Sequence, residues 1–258
     1  MKSLEESIAT AMDSNNTEIV PYLSYILQDF WEIGASPANM IALIEKHTTN
    51  FANLKVLDLG CGKGAISVRI AERFQCHCYG IDAIKEFIEE ATEKAEEHKV
   101  AEFCTFEVGD IRERIKELAE YDVIILGAIG TVFGNYKDTM MTLLPHLKTK
   151  GIVIVDDAYI DDSSTFGHSL ILKHSKLINQ LHEAGMKLID EIKDNNQEEV
   201  SEGYSQDFDY IQQRCKELIE KYPEKALLFE GYIKSQKDEY NVLEEEVICS
   251  TMVISKQI

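Results

Sequence analysis

A glycine-rich turn between an apolar run and a helical pattern constrains this chain more than any other feature. The run Val56-Leu57-Asp58-Leu59 is typical of a buried strand, and the glycine turn, residues 60–64, follows it directly. A helical pattern then begins, made by Ala65, Ile66, Val68, Ile70 and Ala71. Strand, glycine turn and helix form the first unit of a nucleotide-binding α/β fold, in which free N–H groups at the helix start face the ligand.

Asp58 distinguishes between two cofactors that this turn could bind. Read loosely, Gly60-x-Gly62-x-x-Ala65 matches the dinucleotide fingerprint, so a nicotinamide-dependent oxidoreductase is one alternative. A carboxylate two residues before the first glycine would repel a pyrophosphate, but it suits a ligand with an ammonium group and no phosphates. S-adenosylmethionine is such a ligand. Residues 58–64 resemble the first motif of class I S-adenosylmethionine-dependent methyltransferases.

Two further aspartates end predicted strands in the same way. Asp82 ends the run 78–82 and Asp110 ends the run 103–110. An acidic residue about 20 positions after the glycine turn accepts hydrogen bonds from ribose hydroxyls, and in the family a carboxylate at the position of Asp110 accepts one from the adenine amino group. Each aspartate alone is equally explained as a cap or a turn former. The resemblance assigns cofactor binding to Asp58, Gly60, Cys61, Gly62, Asp82, Ala83, Asp110, Ile111 and Gly127.

The remaining pattern predicts the fold. Strands and helices alternate over residues 54–157, which indicates a parallel sheet with right-handed crossovers. A long helix is predicted near 168–183. Strands are predicted near 54–59, 76–82, 102–108, 121–127, 151–157, 187–192 and 247–254. The resemblance implies an α/β fold with a Rossmann-like, doubly wound seven-stranded sheet in the order 3-2-1-4-5-7-6, strand 7 antiparallel. This predicts a methyltransferase domain over 51–258, preceded by an N-terminal helical segment over 1–50.

Two helical additions accompany this predicted core. In the N-terminal segment, apolar residues between Ile19 and Trp31 recur at helical spacing, with Pro21 in a first turn. An insertion at about 194–244, between strands 6 and 7, opens on polar residues and continues as two amphipathic helices. We expect the additions to cap the carboxyl edge of the sheet, although packing on the sheet edge and an oligomer interface are alternatives. The predicted acceptor-binding residues are Tyr25, Trp31, Tyr204, Tyr232 and Tyr240.

The sequence leaves the methyl acceptor and the catalytic residues open. S-adenosylmethionine is already activated, so the protein mainly aligns the acceptor and excludes water, and S-adenosylhomocysteine is the product. Candidates for a general base are Asp157, Tyr159 and His168, each of which is also explained as a cap, a turn residue or a packed ring. The fourth strand ends in Gly127 and not in a carboxylate, so a metal-dependent catechol type is not supported. Asp156 and Asp157 could hold a divalent ion, but two adjacent carboxylates alone do not make a site, and we expect no metal. A cofactor-binding regulatory module without turnover is a further alternative.

The net charge and the cysteines indicate which partners and which cellular compartment to expect. The net charge is -20, from 26 basic and 46 acidic residues, which disfavours nucleic acids as partners. The six cysteines match no zinc template, so we expect free thiols in a reducing cytoplasm. No secretory signal and no apolar run of membrane-spanning length is visible. We therefore expect a cytoplasmic monomer or homodimer that acts on a small molecule without a membrane partner.

Overall fold

Seven strands form one mixed sheet. The computed structural model describes residues 2–193 and 197–257, and only the backbone of residues 197–200. The strands are β1 (Lys55–Leu59), β2 (His77–Asp82), β3 (Cys104–Val108), β4 (Tyr121–Gly127), β5 (Leu147–Tyr159), β6 (Met186–Lys193) and β7 (Ile248–Lys256). Their order is β3-β2-β1-β4-β5-β7-β6, and β7 runs antiparallel to both β5 and β6. The predicted topology is therefore confirmed.

Helices cover both faces of this sheet. They are α1 (Leu4–Ala11), α2 (Leu23–Ile26), α3 (Pro37–His47), α4 (Ala65–Phe74), α5 (Lys85–Glu97), α6 (Ile111–Arg114), α7 (Tyr136–Leu143), α8 (His174–Glu183), α9 (Gln197–Lys221) and α10 (Ala226–Glu245). The α3, α4 and α5 helices contribute to the core on one face, and α6, α7 and α8 contribute to the core on the other. No helix in the described ranges has the length and apolarity to cross a membrane.

The central strands are apolar on both sides, because both of their faces are covered. On β4, Ile125 is buried among the residues of the first face, and its neighbour Ile124 is buried on the second. Val153 and Ile154 alternate in the same way on β5. This arrangement places the carboxyl ends of β1, β2, β4 and β5 along one edge of the sheet, where open α/β folds bind ligands.

A third apolar cluster joins the N-terminal segment to the insertion. It contains Ile19, Leu23 and Ile26 from the segment, Ile211, Cys215 and Leu218 from α9, and Phe229 and Tyr232 from α10. The insertion contains the two predicted helices, α9 and α10, while its opening residues 194–196 lie outside the described ranges. The two additions thus pack on each other, and Phe87 of α5 connects them to the rest of the chain.

Two helix boundaries differ from the predictions. The helix predicted from residue 168 begins at His174, because the Asp162 carboxylate accepts a hydrogen bond from Ser175 N–H at 3.1 Å and fixes the first turn from a distant loop. The predicted long helix from Ile19 to Trp31 is a 3-10 helix (Thr17–Tyr22) followed by the short α2. Pro21 lies inside that 3-10 helix, where it removes a backbone donor.

Candidate functional site

The glycine turn is held tightly between β2 and the loop after β4. Gly60 N–H and Cys61 N–H both donate to the Ile81 carbonyl, at 2.8 and 3.1 Å. Gly60 and Gly62 have φ of +74° and +52°, values that glycine adopts without a steric penalty. A Cβ at Gly60 would also overlap the Ile129 side chain. The backbone of the turn can therefore approach a ligand as closely as the sequence predicts.

Asp58 lies beneath this turn, and only one of its two carboxylate oxygens accepts a hydrogen bond in the described part of the chain. Its side chain is 0% exposed, and Oδ2 accepts a hydrogen bond from Ser67 Oγ at 2.7 Å. Oδ1 has no hydrogen-bond partner in the described part of the chain. Burial raises the pKa of the Asp58 carboxyl to about 7, because the charged form is costly without solvent. An orphaned carboxylate oxygen fits a ligand with a cationic donor.

Asp82 ends β2 and faces the same turn. Its Oδ2 accepts Gly62 N–H at 3.0 Å, and its Oδ1 accepts Ile84 N–H at 2.8 Å. Burial raises the pKa of this carboxyl. A carboxylate offers about four acceptor positions, so two remain for a pair of hydroxyl groups. The contact of Asp82 and its neighbour Ala83 with a ribose stays a prediction.

Asp110 has a partner that the sequence prediction missed. Its Oδ1 accepts Arg112 N–H at 2.9 Å, and the Arg112 guanidinium donates to both oxygens, with Nη2 to Oδ2 at 2.7 Å. The hydrogen bond from Arg112 lowers the pKa of Asp110. Arg112 also donates to Ser7 Oγ at 2.9 Å, so it links α1 to this end of the sheet. The adjacent Ile111 is buried in the core and offers only its backbone to a ligand.

Lys63 fastens the N-terminal segment to the glycine turn. This lysine is 2% exposed, and its ammonium donates to the Leu27 carbonyl at 2.9 Å and to the Glu90 carboxylate at 2.8 Å. In return, Trp31 Nε1 donates to the Lys63 carbonyl at 3.0 Å. The sequence signal for this link is a lysine inside an otherwise small-residue turn, which sequence reasoning did not use.

The same segment also covers the end of β4. A Cβ at Gly34, which has φ of +78°, would lie 2.8 Å from Ala128 Cβ. A Cβ at Gly127 would lie 3.1 Å from Ala35 Cβ. The predicted cofactor residue Gly127 thus lies directly below the N-terminal segment, and its lack of a side chain permits this close packing.

The five predicted acceptor-binding aromatic residues lie in separate places. Trp31 stacks on His98 with 4.7 Å between ring centroids and packs against α4 and α5. Tyr25 is 40% exposed and donates its hydroxyl hydrogen to Glu217 at 2.6 Å. Tyr204 and Tyr240 meet within the insertion, between α9 and α10, with 5.1 Å between centroids, and Tyr232 is buried on the same helix as Tyr240. A single enclosure from all five is therefore absent from the described chain.

The three candidates for a general base also lie in different surroundings. Tyr159 donates its hydroxyl hydrogen to Glu191 of β6 at 3.1 Å, and its ring packs in the core. Asp157 accepts a hydrogen bond from the Tyr136 hydroxyl at 2.7 Å, and burial raises its pKa. His168 is exposed, and its Nδ1 accepts Ile171 N–H at 3.1 Å.

Glu239 of α10 connects two of these three candidates. It lies within electrostatic range of both His168 and Asp157, and burial raises its pKa. Tyr136 and Glu239 were absent from the sequence prediction. No local motif marks either residue, since they approach Asp157 from elements that are distant in sequence.

Comparison with known proteins adds a family match. A family model described as a methyltransferase domain matches residues 50–246. A malonyl-[acyl-carrier protein] O-methyltransferase of Bacillus cereus is 28% identical over 131 residues, which cover 50% of this chain and 44% of that protein. A ubiquinone biosynthesis O-methyltransferase of Rickettsia canadensis is 28% identical over 177 residues, which cover 59% of this chain and 72% of that protein. The first of these relatives is thus matched over less than half of its length.

Solved structures show the same fold. A methyltransferase from Geobacter sulfurreducens, solved with S-adenosylhomocysteine, superposes with a TM-score of 0.73 at 18% identity, covering 92% of this chain and 98% of that one. The [4+2]-cyclase SpnF superposes with a TM-score of 0.71 at 14% identity, covering 99% of this chain and 98% of that one. The second match illustrates that the fold supports more than one kind of chemistry.

Proposed function

Because the chain belongs to the methyltransferase-domain family, we propose that it transfers a methyl group from S-adenosylmethionine to a small-molecule acceptor beneath its helical additions. The family match confirms the class of enzyme that the glycine turn predicts. When bound, S-adenosylmethionine supplies a methyl group that is already activated for transfer. The acceptor and the residues that handle it belong to the proposal.

The orphaned Oδ1 of Asp58 is the observation that carries this proposal. A fully buried carboxylate oxygen without a donor is costly unless a ligand completes it. The glycine turn above it offers close backbone approach, and Asp82 keeps two acceptor positions for hydroxyl groups. An ammonium end and a ribose match these two features, whereas a pyrophosphate would be repelled by Asp58. Asp110 then lies at the adenine end, shared with Arg112.

The protein's own contribution is orientation and exclusion of water. Lys63, Trp31 and Leu27 hold the N-terminal segment over the glycine turn, and a covered site strengthens the electrostatic contacts inside it. Asp157, with its pKa raised and Tyr136 as its donor, is the strongest of the three candidates for holding an acceptor proton. His168 is the second candidate for this role, because it lies within electrostatic range of Glu239.

Binding and mutation test the proposal directly. We expect calorimetry to show that S-adenosylhomocysteine binds the full chain and NADH does not. Asp82→Ala should weaken that binding about 10- to 150-fold, because hydrogen bonds to a charged group contribute about 1.5–3 kcal/mol. Asp209→Ala, on α9, is the matched control and should bind like the wild type. Wild-type affinity in Asp82→Ala would remove the ribose assignment, and tight NADH binding alone would overturn the proposed function.

The free thiols of the chain support a location in the cytoplasm. All six cysteines are free, and four of them are buried, as expected for a protein of a reducing cytoplasm. We place the enzyme there as a monomer or homodimer. Size-exclusion chromatography with light scattering distinguishes these two states, and a larger assembly would contradict both.

A further inference from the structure

Arg112 fixes the Asp110 carboxylate in one orientation. Its backbone N–H donates to Oδ1 at 2.9 Å. Its side chain donates from Nε to Oδ1 at 2.9 Å and to Oδ2 at 3.1 Å, and from Nη2 to Oδ2 at 2.7 Å. A planar guanidinium that binds both carboxylate oxygens fixes the plane of the carboxylate as well as neutralising its charge. Asp110 therefore has little freedom to turn.

These contacts use most of the hydrogen-bonding capacity of Asp110. An ionised carboxylate has about four acceptor positions and no hydrogen to donate. Arg112 takes both positions of Oδ1 and at least one of Oδ2. The hydrogen bond from Arg112 also lowers the pKa of the carboxyl, so the side chain is ionised at neutral pH. The residues that the structure describes thus leave about one acceptor position, on Oδ2, for a donor from a ligand.

The α1 helix holds the other end of the Arg112 guanidinium. Nη1 donates to the Ser7 hydroxyl and to the Lys2 carbonyl, both at 2.9 Å. The Arg112 side chain is 13% exposed and Ser7 is buried, so water screens these contacts only in part. All three guanidinium nitrogens are engaged, two by Asp110 and one by the segment around α1. The orientation of Asp110 is therefore tied to the docking of a helix that lies more than 100 residues earlier in the sequence.

Resting on the proposed function, we propose that Arg112 is a positioning residue that makes the adenine end of the site selective for a 6-amino purine, and that α1 supports this selectivity through Arg112. The fixed carboxylate offers an acceptor at one place, and a 6-amino group is a donor that can satisfy it. A 6-oxo purine presents an acceptor at the same place, which leaves the carboxylate oxygen unpaired. The N1–H donor of such a base lies on the neighbouring ring atom, and Asp110 reaches it only by turning away from Arg112.

Calorimetry with two nucleosides tests this selectivity. The full chain is titrated with S-adenosylhomocysteine and with S-inosylhomocysteine, which carries a 6-oxo group in place of the amino group. We expect the wild type to bind the first about 100-fold more tightly, because the second leaves a charged acceptor without its hydrogen bond. Equal affinity for both nucleosides would overturn the inference. Absence of binding to either nucleoside would instead remove the proposed function itself.

Variants on α6 assign the selectivity to Arg112. Arg112→Met should narrow the preference to about 10-fold or less, because a freed carboxylate can turn toward the N1–H of the 6-oxo base. Arg112→Lys keeps the charge but not the planar fork, so it should restore only part of the preference. The control Arg114→Met removes a guanidinium that pairs with Glu107 and Glu117 instead, and it should keep the wild-type preference. An unchanged preference in Arg112→Met, or an equal loss in Arg114→Met, would overturn the inference.

A variant on α1 tests the same link without touching the cofactor end, and it decides the question if Arg112→Met does not fold. Ser7→Ala removes one of the two acceptors of Arg112 Nη1 and should narrow the preference about 3-fold. The control is Thr10→Ala on the same helix. The hydroxyls of Ser7 and Thr10 each donate to a carbonyl four residues earlier, so both variants lose that bond. A wild-type preference in Ser7→Ala, or an equal loss in Thr10→Ala, would overturn the link to α1.

Discussion

At the glycine turn, protein donors meet most of the buried carboxylate oxygens, whereas at Asp13, beside α10, burial and the nearby Glu239 oppose the charged form of the carboxyl. Asp82 accepts two backbone N–H groups, and Asp110 is held by Arg112. In the described part of the chain, the Asp13 carboxylate accepts a hydrogen bond only from Gln236 Nε2, at 3.4 Å, and His168 lies within electrostatic range of Glu239. The first region is organised by backbone and guanidinium donors, and the second holds a carboxyl whose charged form the fold disfavours.

The largest expected effect concerns the glycine turn. Gly60→Ala should lower the stability of the protein by about 3 kcal/mol, because the new methyl group overlaps Ile129 and alanine is strained at positive φ. Its affinity for S-adenosylhomocysteine should fall more than about 100-fold. Urea unfolding and calorimetry measure the two quantities. Gly231→Ala, in α10 with open space around it, should instead gain about 1 kcal/mol. Equal behaviour of the two variants would show that the turn is not preorganised.

Lys63 tests the link between the turn and the N-terminal segment. Lys63→Met should cost about 2 kcal/mol, less than for a fully buried pair because Glu90 reaches solvent. Hydrogen exchange near Leu27 should accelerate, since its carbonyl loses its donor. The control Lys85→Met breaks an exposed ion pair with Glu89, on the same helix as Glu90, and should unfold like the wild type. Unchanged exchange near Leu27 would contradict the fastening role.

The stability that Asp13 contributes should depend on pH in the opposite way to that of a carboxylate in an ion pair. Burial and the nearby Glu239 raise its pKa from 3.8 to about 7, so the folded state holds the proton more tightly than the unfolded state. Stability contributed by this proton is present below about pH 4 and is lost as the pH rises to about 7. Asp13→Asn should therefore stabilise the ligand-free protein by about 1–2 kcal/mol at pH 8, a value reduced because the residue is only half-buried.

At about pH 4, the Asp13→Asn variant and the wild type should unfold together. The local backbone tolerates the change, because Asp13 has φ of +55° and asparagine is well suited to that region. Thermal unfolding at both pH values gives the comparison. A destabilised Asp13→Asn at pH 8 would contradict the raised pKa of Asp13 in the folded protein.

The smallest expected effect comes from a carboxylate with two partners. Hydrogen bonds from Lys46 and then His47 lower the pKa of Asp190 to about 2, and both contacts measure 2.6 Å. Its contribution is fully present above about pH 4 and is lost as the pH falls toward 2. Asp190→Asn should cost about 1 kcal/mol at pH 7. Thermal unfolding should show that difference shrinking below pH 4, and a gain in stability would contradict the contrast with Asp13.

The sequence by itself determined the framework and the local structure of the glycine turn. Strand runs, the glycine turn and the aspartates at positions 58 and 82 are contiguous signals, and local backbone sterics dictate what they form. The seven-stranded topology followed from the family resemblance that these residues carry, and the structure confirms it. The start of α8 at His174 did not follow, because a side chain 13 residues away caps it.

Tertiary structure alone decided which distant side chains meet. Arg112 engages Asp110 within one turn, yet its second contact is with Ser7 of α1. Lys63 reaches Leu27 and Glu90 on two other elements. Glu239 comes within electrostatic range of Asp13 and of Asp157 only in the folded chain. Periodicity reports which face of one element is apolar, but it carries no information on which two elements will share that face.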